Sequence, residues 1–215
     1  RGRASPKGAP VRLHLQRAGT WLEFDSWPPP QSRDVIHHLR DGGGLTEEAE
    51  AGGPAPSRFT YDPADPTPTV GGPLLGPPGK QADNRAVEER PDVLVFTGPV
   101  LTADLDVVGP VRARVHVRPA LDHADVFVRL CDVDADGVSR NVVDGIRRLD
   151  PRTVPAADVT VGEDGVLAVD VELFPTAYRV AAGHRLRVQV SGGAFPRFAR
   201  NLGTGEPLGT GAVGR

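Results

Sequence analysis

Apolar and polar residues alternate one by one in several short stretches of this chain. Val11, Leu13 and Leu15 alternate with polar residues, and residues 21–24 form a second short apolar run. A period of two is typical of a half-buried β-strand. From residue 93 the same period recurs between turn residues, at 93–96, 111–117, 126–130, 142–146, 167–173 and 186–190. The pattern predicts an all-β domain built as a β-sandwich.

Turn signals support this prediction. The segment Asp134-Ala135-Asp136-Gly137 separates two apolar runs and is typical of a hairpin turn. Residues 35–39, which follow the triple proline at 28–30, predict one more short strand. No segment carries a strong helical periodicity.

Residues 42–91 interrupt the alternation with a stretch rich in Gly, Pro, Asp and Thr. Ordinary loops rarely exceed about 15 residues. Because proline restricts the backbone, we expect this excursion to be extended and ordered rather than flexible.

The amino-acid composition excludes several classes of protein. The chain of 215 residues has 26 Gly and 22 Pro but only 5% aromatic residues, which excludes a coiled coil, a helical bundle and a collagen-like repeat. A net charge of −3 predicts no general attraction to nucleic acid or to an anionic membrane. No apolar run approaches the ~20 residues that span a bilayer, and no signal peptide is visible.

The chain contains no Met and begins at Arg1, so we expect it to be a piece of a longer protein. Residues 1–9 are then a linker from an upstream domain, and residues 10–215 form one domain. The single Cys131 excludes an internal disulfide and a cysteine-based zinc site.

One acidic motif suggests a metal site. Asp132, Asp134 and Asp136 have the spacing of the first half of an EF-hand loop. The twelfth position requires a bidentate Glu and holds Val143 instead. The motif is better interpreted as an acidic turn, so we predict no metal site and no cofactor.

Catalytic patterns are absent from the sequence. No serine lies in a Gly-x-Ser-x-Gly elbow, and the six histidines are scattered. His14, His116 and His184 share the polar register of their strands and are expected to face solvent. Phe195 and Phe198 are expected to anchor an irregular loop, while the nearby arginines pair with acidic residues.

Ordered motifs along the chain resemble one known family. These are Asp25-Ser26-Trp27-Pro28-Pro29, Tyr61-Asp62-Pro63-Ala64-Asp65-Pro66, Val70-Gly71-Gly72, Glu88-Glu89-Arg90-Pro91-Asp92-Val93, Leu130-Cys131-Asp132-Val133, Ala182-Gly183-His184-Arg185-Leu186, and Ser191-Gly192-Gly193-Ala194-Phe195-Pro196-Arg197-Phe198-Ala199-Arg200-Asn201. Together they resemble the C-terminal domain of the X-prolyl dipeptidyl-peptidase and cocaine esterase family.

The resemblance implies a jelly-roll, galactose-binding-like β-sandwich that packs on an upstream α/β-hydrolase domain. The Ser-Asp-His triad would lie in that upstream domain, so this piece is expected to carry no catalytic residue. The parent enzyme would hydrolyse a small ester, amide or X-Pro peptide. We further expect a cytoplasmic location and assembly into a homo-oligomer.

The resemblance also points to candidate residues for the substrate pocket. In the family, the segment after the Val-Gly-Gly turn reaches the active site with Leu followed by Phe. The matching positions are Leu75 and Gly76, preceded by Leu74. Gly76 lacks the aromatic wall, which implies a roomier pocket. An equal alternative is that Leu74 and Leu75 only pin the loop to the sandwich. The family's final strand has no counterpart before Arg215.

The sequence alone leaves two other classes of function open. A free-standing carbohydrate-binding module would share the sandwich and would need an exposed platform from Trp21, Trp27, Tyr61 or Tyr178. A calcium-dependent module would depend on the acidic motif at residues 132–136.

Overall fold

The computed structural model describes residues 8–49, 55–73, 81–207, 210–211 and 213–214. In chain order the elements are β1 (Val11–Leu15), β2 (Thr20–Phe24), β3 (His38–Leu39), β4 (Leu45–Thr46), α1 (Arg85–Glu88), β5 (Val93–Thr97), β6 (Leu105–Val117), β7 (Ala124–Val133), β8 (Ser139–Leu149), β9 (Val159–Val161), β10 (Leu167–Val180) and β11 (Arg185–Ser191).

Two antiparallel sheets form the body of the domain. One has the strand order β5-β11-β7-β8 and the other the order β6-β10-β9. Both sheets contribute apolar side chains to one buried cluster, which includes Phe96, Val126, Val128, Val143, Leu149, Val169, Val171, Leu173, Val180, Leu186 and Val190. The predicted all-β sandwich is therefore confirmed, while its jelly-roll, galactose-binding-like connection stays a prediction.

The two sheets approach each other closely where β8 meets β10. A Cβ atom at Gly145 would lie 2.2 Å from the carbonyl oxygen of Glu172 and 3.0 Å from the Cα atom of Leu173. Only glycine leaves room for the two backbones at this distance.

A hairpin of β1 and β2 is attached to the edge of the sandwich. Its inward residues include Leu13 and the buried Leu15, while Arg12 and His14 face solvent. Gln16 continues the hairpin alongside Tyr178 of β10: the Gln16 amide donates to the Ala177 carbonyl over 2.9 Å.

The N-terminal half differs in two places from the predicted elements. The strand predicted over residues 35–39 is limited to β3, because Val35 and Ile36 are exposed and lack strand pairing in the described part of the chain. Residues 42–91 contain short regular elements, β4 and α1, between their extended parts. The hairpin turn before β8 forms as predicted, with Gly137 at φ 79°.

Candidate functional site

The outer face of the four-stranded sheet is covered by irregular chain and by the short helix α1. Phe127, Arg129 and Cys131 of β7 point to this face, because the residues between them point into the core. We call the covering segments, residues 55–73, 81–92 and 192–207, the outer layer. Arg129 and Gln189 are 1% and 2% exposed, so the polar side of these strands is an interior rather than a solvated surface.

Three charged side chains form a buried network at the centre of this face. Arg129 donates from Nε and Nη2 to Oδ2 of Asp144, over 3.2 Å and 2.9 Å. Arg197, from the outer layer, donates from Nη1 to Oδ1 of the same carboxylate. The side chains of Arg129 and Asp144 are each 1% exposed, which makes this a fully desolvated ion pair.

The network holds the Val-Gly-Gly segment in place. Nη1 of Arg129 donates to the carbonyl oxygen of Val70 over 2.8 Å. Gly72 adopts φ +106°, and a Cβ atom there would lie 3.1 Å from Nη1 of Arg197. A side chain would therefore strain the backbone and crowd the buried charges. Just upstream, the Thr69 amide donates to the Phe195 carbonyl over 2.6 Å.

The chain that returns after residue 80 is anchored on the same sheet. The Ala82 amide donates to Oδ1 of Asn141 over 2.8 Å. In α1, the carboxylate of Glu88 accepts hydrogen bonds from Ser139, Arg187 and Gln189. Both ends of the segment between residues 73 and 81 are thus fixed to one face of the sandwich.

A cavity of ≈ 290 Å³ lies between these two ends. Its lining combines apolar and polar residues from the hairpin, the outer layer, β8 and β10: Gln16, Gly72, Pro73, Gln81, Asn141, Val142, Val143, Asp144, Phe174, Pro175 and Thr176. The predicted pocket residues Leu74, Leu75 and Gly76 belong to the segment between these ends and lie outside the described residues.

The structure separates the three aspartates of the acidic motif. Asp132 is buried, where it accepts hydrogen bonds from the Tyr178 hydroxyl over 2.8 Å and pairs with Nδ1 of His184 over 2.7 Å. Asp134 caps its own turn and pairs with Arg140. Asp136 is exposed at the tip of the turn. Among the described residues, no three His, Cys, Asp or Glu side chains converge on a common point.

Other candidate residues also have structural partners. His184, expected to face solvent, is mostly buried because Asp132 holds its ring against the sheet. Burial raises the pKa of the Tyr178 hydroxyl to about 12, so the hydroxyl is protonated and donates to Asp132 at neutral pH. Of the arginines near Phe195, Arg197 pairs with an acidic residue as expected, Asp144, whereas Arg200 donates to the Pro63 carbonyl instead.

The outer layer is fixed by further contacts at its N-terminal end. Thr67 donates to Asp92 over 2.6 Å, and Arg90 bridges Asp92 and Asp65. Although burial opposes the effect, the hydrogen bonds from Arg90 and Thr67 hold the pKa of Asp92 below its usual value. Tyr61 packs so closely on Gly192 that a Cβ atom there would lie 2.7 Å from its ring.

The two tryptophans lie at the hairpin end of the molecule. Trp21 is 58% exposed, and its ring is covered in part by the Arg12 guanidinium at 4.7 Å and by the His14 ring at 5.2 Å. Trp27 lines a mainly apolar groove of ≈ 440 Å³ between the hairpin and β10.

Cys131 lies in the middle of the covered face and is completely buried. Burial raises the pKa of its thiol to about 12, which leaves almost no reactive thiolate at neutral pH. We expect Ellman's reagent to label the native chain at least a hundredfold more slowly than the chain unfolded in guanidinium chloride. Rapid labelling of the native chain would show that the outer layer does not stay closed over β7.

No helix in the described part of the chain is long and apolar enough to cross a membrane.

Comparison with known proteins identifies the family of this domain. A cocaine esterase from Rhodococcus sp. (strain MB1 Bresler) is 32% identical over 205 residues, which cover 91% of this chain and 36% of that protein.

Solved structures agree with this relationship. An aminopeptidase from the marine sediment archaeon Thaumarchaeota archaeon superposes with a TM-score of 0.81 at 27% identity, over 94% of this chain and 36% of that one. An alpha-amino acid ester hydrolase has the same fold, with a TM-score of 0.79 at 24% identity over 96% of this chain and 37% of that one.

This chain spans little more than a third of each of these proteins. Residues 7–212 match a family described as the X-Pro dipeptidyl-peptidase C-terminal non-catalytic domain. Because the match covers nearly the whole chain, this protein belongs to the X-Pro dipeptidyl-peptidase C-terminal non-catalytic domain family.

Proposed function

We propose that this domain packs on an upstream α/β-hydrolase domain and forms one wall of its substrate cleft. The segment that begins at Gly72 and Pro73 and ends at Gln81 would supply that wall, with Leu74, Leu75 and Gly76 nearest the substrate. The enzyme as a whole would hydrolyse a small ester, amide or X-Pro peptide through an acyl-enzyme formed on the upstream domain.

The anchoring of the segment is the observation that carries this proposal. A loop that only connects two strands needs few fixed contacts, since loops tolerate variation. Here one end is held by Arg129 on the Val70 carbonyl, and the other by Asn141 on the Ala82 amide. We infer that ends held in this way place the segment between them beside the substrate, because a substrate-binding wall requires fixed positioning.

The names of the relatives support the substrate class. They are named as an esterase, an aminopeptidase and an alpha-amino acid ester hydrolase, names that denote hydrolysis of ester or peptide bonds. Because Gly76 has no side chain, we propose a wider cleft than an aromatic residue would leave. We also propose a cytoplasmic location and assembly into a homo-oligomer.

A calcium-dependent or carbohydrate-binding role receives less support. Asp132 is bound to Tyr178 and His184, and Asp134 is paired with Arg140. Their carboxylates therefore do not converge on a cation. The exposed ring of Trp21 is partly covered by Arg12, which reduces its use as a sugar platform.

The test uses the longer protein that contains this domain together with its hydrolase domain. We expect it to hydrolyse p-nitrophenyl butanoate or glycyl-prolyl p-nitroanilide, while the isolated chain hydrolyses neither. Leu75→Ala should raise KM about tenfold with little change in kcat, because a lost apolar contact weakens ground state and transition state alike.

Ile36→Ala is the matched control, because Ile36 is also aliphatic but 69% exposed in another loop. It should leave both kinetic constants unchanged. Hydrolysis by the isolated chain would refute the non-catalytic assignment of the proposal. An unchanged KM in Leu75→Ala would remove that residue from the cleft.

A further inference from the structure

Exposed aromatic side chains gather on one side of the molecule. Trp21, Trp27 and Phe174 are 58%, 39% and 55% exposed. Trp27 and Pro175 line the mainly apolar groove between the hairpin and β10. Phe174 precedes Pro175 in the chain, and the Trp21 ring lies against that of His14, another residue of the groove. Contiguous apolar surface of this kind marks a site of contact with a partner.

A bulge in β10 produces part of this surface. The pairing of β10 with β6 shifts its register between Leu173 and Thr176, and the residues between them are Phe174 and Pro175. Regular alternation would turn one of these two side chains into the core. Instead both are exposed, while Leu173 and Thr176 are buried. Bulges re-aim side chains in this way and are frequent beside functional sites, so the irregularity presents two apolar residues to the outside.

The groove and the aromatic residues around it form one surface, which we call the apolar face. Its members are Val11, Leu13, Trp21, Trp27, Phe174 and Pro175. None of the described residues that line the groove is Asp, Glu, Lys or Arg, and its polar lining consists of His14, Gln16 and Thr176. A partner that placed a charge over the groove would lose the hydration of that charge without compensation. The surface that fits the groove is therefore itself apolar.

The apolar face is continuous with the region of the proposed cleft wall. The groove and the cavity of ≈ 290 Å³ share Gln16, Pro175 and Thr176 in their linings. The same cavity is lined by Pro73 and Gln81, which flank the segment proposed as that wall. Interfaces between domains of one chain bury roughly 600–1,500 Å². A hydrolase domain that contacts this segment therefore also covers the adjoining apolar face.

We propose that the apolar face is the surface on which the adjoining hydrolase domain docks, with Trp27 and Phe174 at the centre of the contact. Its occupant is an apolar patch of that domain. The residue types agree, because aromatic side chains, Trp above all, contribute strongly to the stability of protein interfaces. This inference rests on the proposed function and deepens it by naming the surface that joins the two domains.

A second copy of this chain is the alternative occupant. A copy seated on Trp27 and Phe174 would hold the hydrolase domain away from this side and therefore from Pro73 and Gln81. The continuity with the cleft wall thus favours the hydrolase domain, and a homo-oligomer would use another surface. Because the chain spans little more than a third of its relatives, their remaining part is large enough to cover the apolar face.

Hydroxyl-radical footprinting, read by mass spectrometry, compares the isolated chain with the longer protein that contains the hydrolase domain. We expect Trp27 and Phe174 to be oxidised about tenfold more slowly in the longer protein, because residues at the centre of an interface are shielded from water. Val161 is the matched control, since it is 52% exposed but lies beside Leu167, roughly 20 Å along β10 from Phe174. Its oxidation should be the same in both proteins. Equal oxidation of Trp27 and Phe174 in the two proteins would overturn the proposal.

Dilution separates the two occupants. Protection by the hydrolase domain of the same chain does not depend on the protein concentration. Protection that disappears when the longer protein is diluted to a monomer would assign the apolar face to a second copy and overturn the proposal.

A charge placed in the groove provides a second test. Trp27→Asp in the longer protein should raise the oxidation rate of Phe174 about tenfold, because an unpaired carboxylate is not tolerated in an apolar contact. Val161→Asp should leave that rate unchanged. Circular dichroism of the isolated variant chain shows whether it folds. Full protection of Phe174 in a folded Trp27→Asp protein would contradict the proposal. If that variant fails to fold, Trp27→Ala decides in its place by the same criterion.

These results are distinguishable from a failure of the proposed function. If Leu75→Ala raises KM while Trp27 and Phe174 stay reactive in the longer protein, the cleft wall is retained and the docking surface is refuted. If Trp27 and Phe174 are protected while Leu75→Ala leaves KM unchanged, the docking surface is retained and Leu75 is removed from the cleft.

Discussion

Replacing Asp144 with alanine is expected to lower the free energy of unfolding by about 3–5 kcal/mol. The substitution leaves two nearly buried guanidiniums, Arg129 and Arg197, without their shared carboxylate. Each must then be desolvated without compensation, and the two positive charges repel each other. Chemical denaturation followed by circular dichroism gives the loss in stability.

The matched control for this prediction is Asp170→Ala. Asp170 also forms a bidentate pair with an arginine, Arg114, but their side chains are 35% and 65% exposed. We expect a much smaller loss for this variant, because water replaces the lost partner of an exposed pair. Similar losses for both variants would show that the network at Asp144 is accessible to water.

Gly145→Ala is expected to destabilise the sandwich by about 3 kcal/mol, at the upper end of the usual cost of overpacking. The added methyl group would lie 2.2 Å from the Glu172 carbonyl oxygen. This oxygen belongs to the backbone of β10, where Glu172 is paired with Arg112 of β6, so a shift of the strand would disturb that pairing. Thermal and chemical unfolding of the purified variant measure the effect.

Gly98→Ala provides the comparison. A Cβ atom at Gly98 would lie 3.4 Å from the Leu186 carbonyl oxygen, which is an ordinary contact. We expect a change of less than about 1 kcal/mol, because alanine also restricts the unfolded chain. If Gly145→Ala were equally mild, the two sheets would be free to separate locally, and the close approach of β8 and β10 would not be a constraint.

Alternation was sufficient to predict most of the sandwich. Strands β6, β7, β10 and β11 lie where apolar residues recur every second position, because a β-strand turns alternate side chains to opposite faces. The strand predicted over residues 35–39 is mostly wrong, since only His38 and Leu39 form a strand. Apolar residues such as Ile36 favour a strand, but a strand forms only where a partner strand is available.

The candidate site was much less accessible to sequence reasoning. The resemblance to a family supplied Leu74, Leu75 and Gly76, and their place in the cleft stays a prediction. Arg129, Asp144 and Arg197 were not predicted as a group, since 15 residues separate the first two and 53 the last two. The one sequence feature that could have indicated this network was Arg129 within the valine-rich strand β7. In a β-strand, such an arginine is normally interpreted as a residue that faces solvent.

The sequence by itself determined the fold class, the places of most strands and, through ordered motifs, the family. The period of apolar residues and the residues that form turns are local properties, so strands and turns can be predicted from them without knowledge of the rest of the chain. Only the tertiary structure decided what lies on the polar side of the four-stranded sheet. The alternation of apolar and polar residues predicts that Arg129 and Gln189 face away from the core. It does not distinguish a face exposed to solvent from a face covered by distant parts of the chain, because both give the same sequence pattern. The outer layer makes that difference: it buries these polar groups, so each of them requires a partner, and the partners come from segments far away in the sequence.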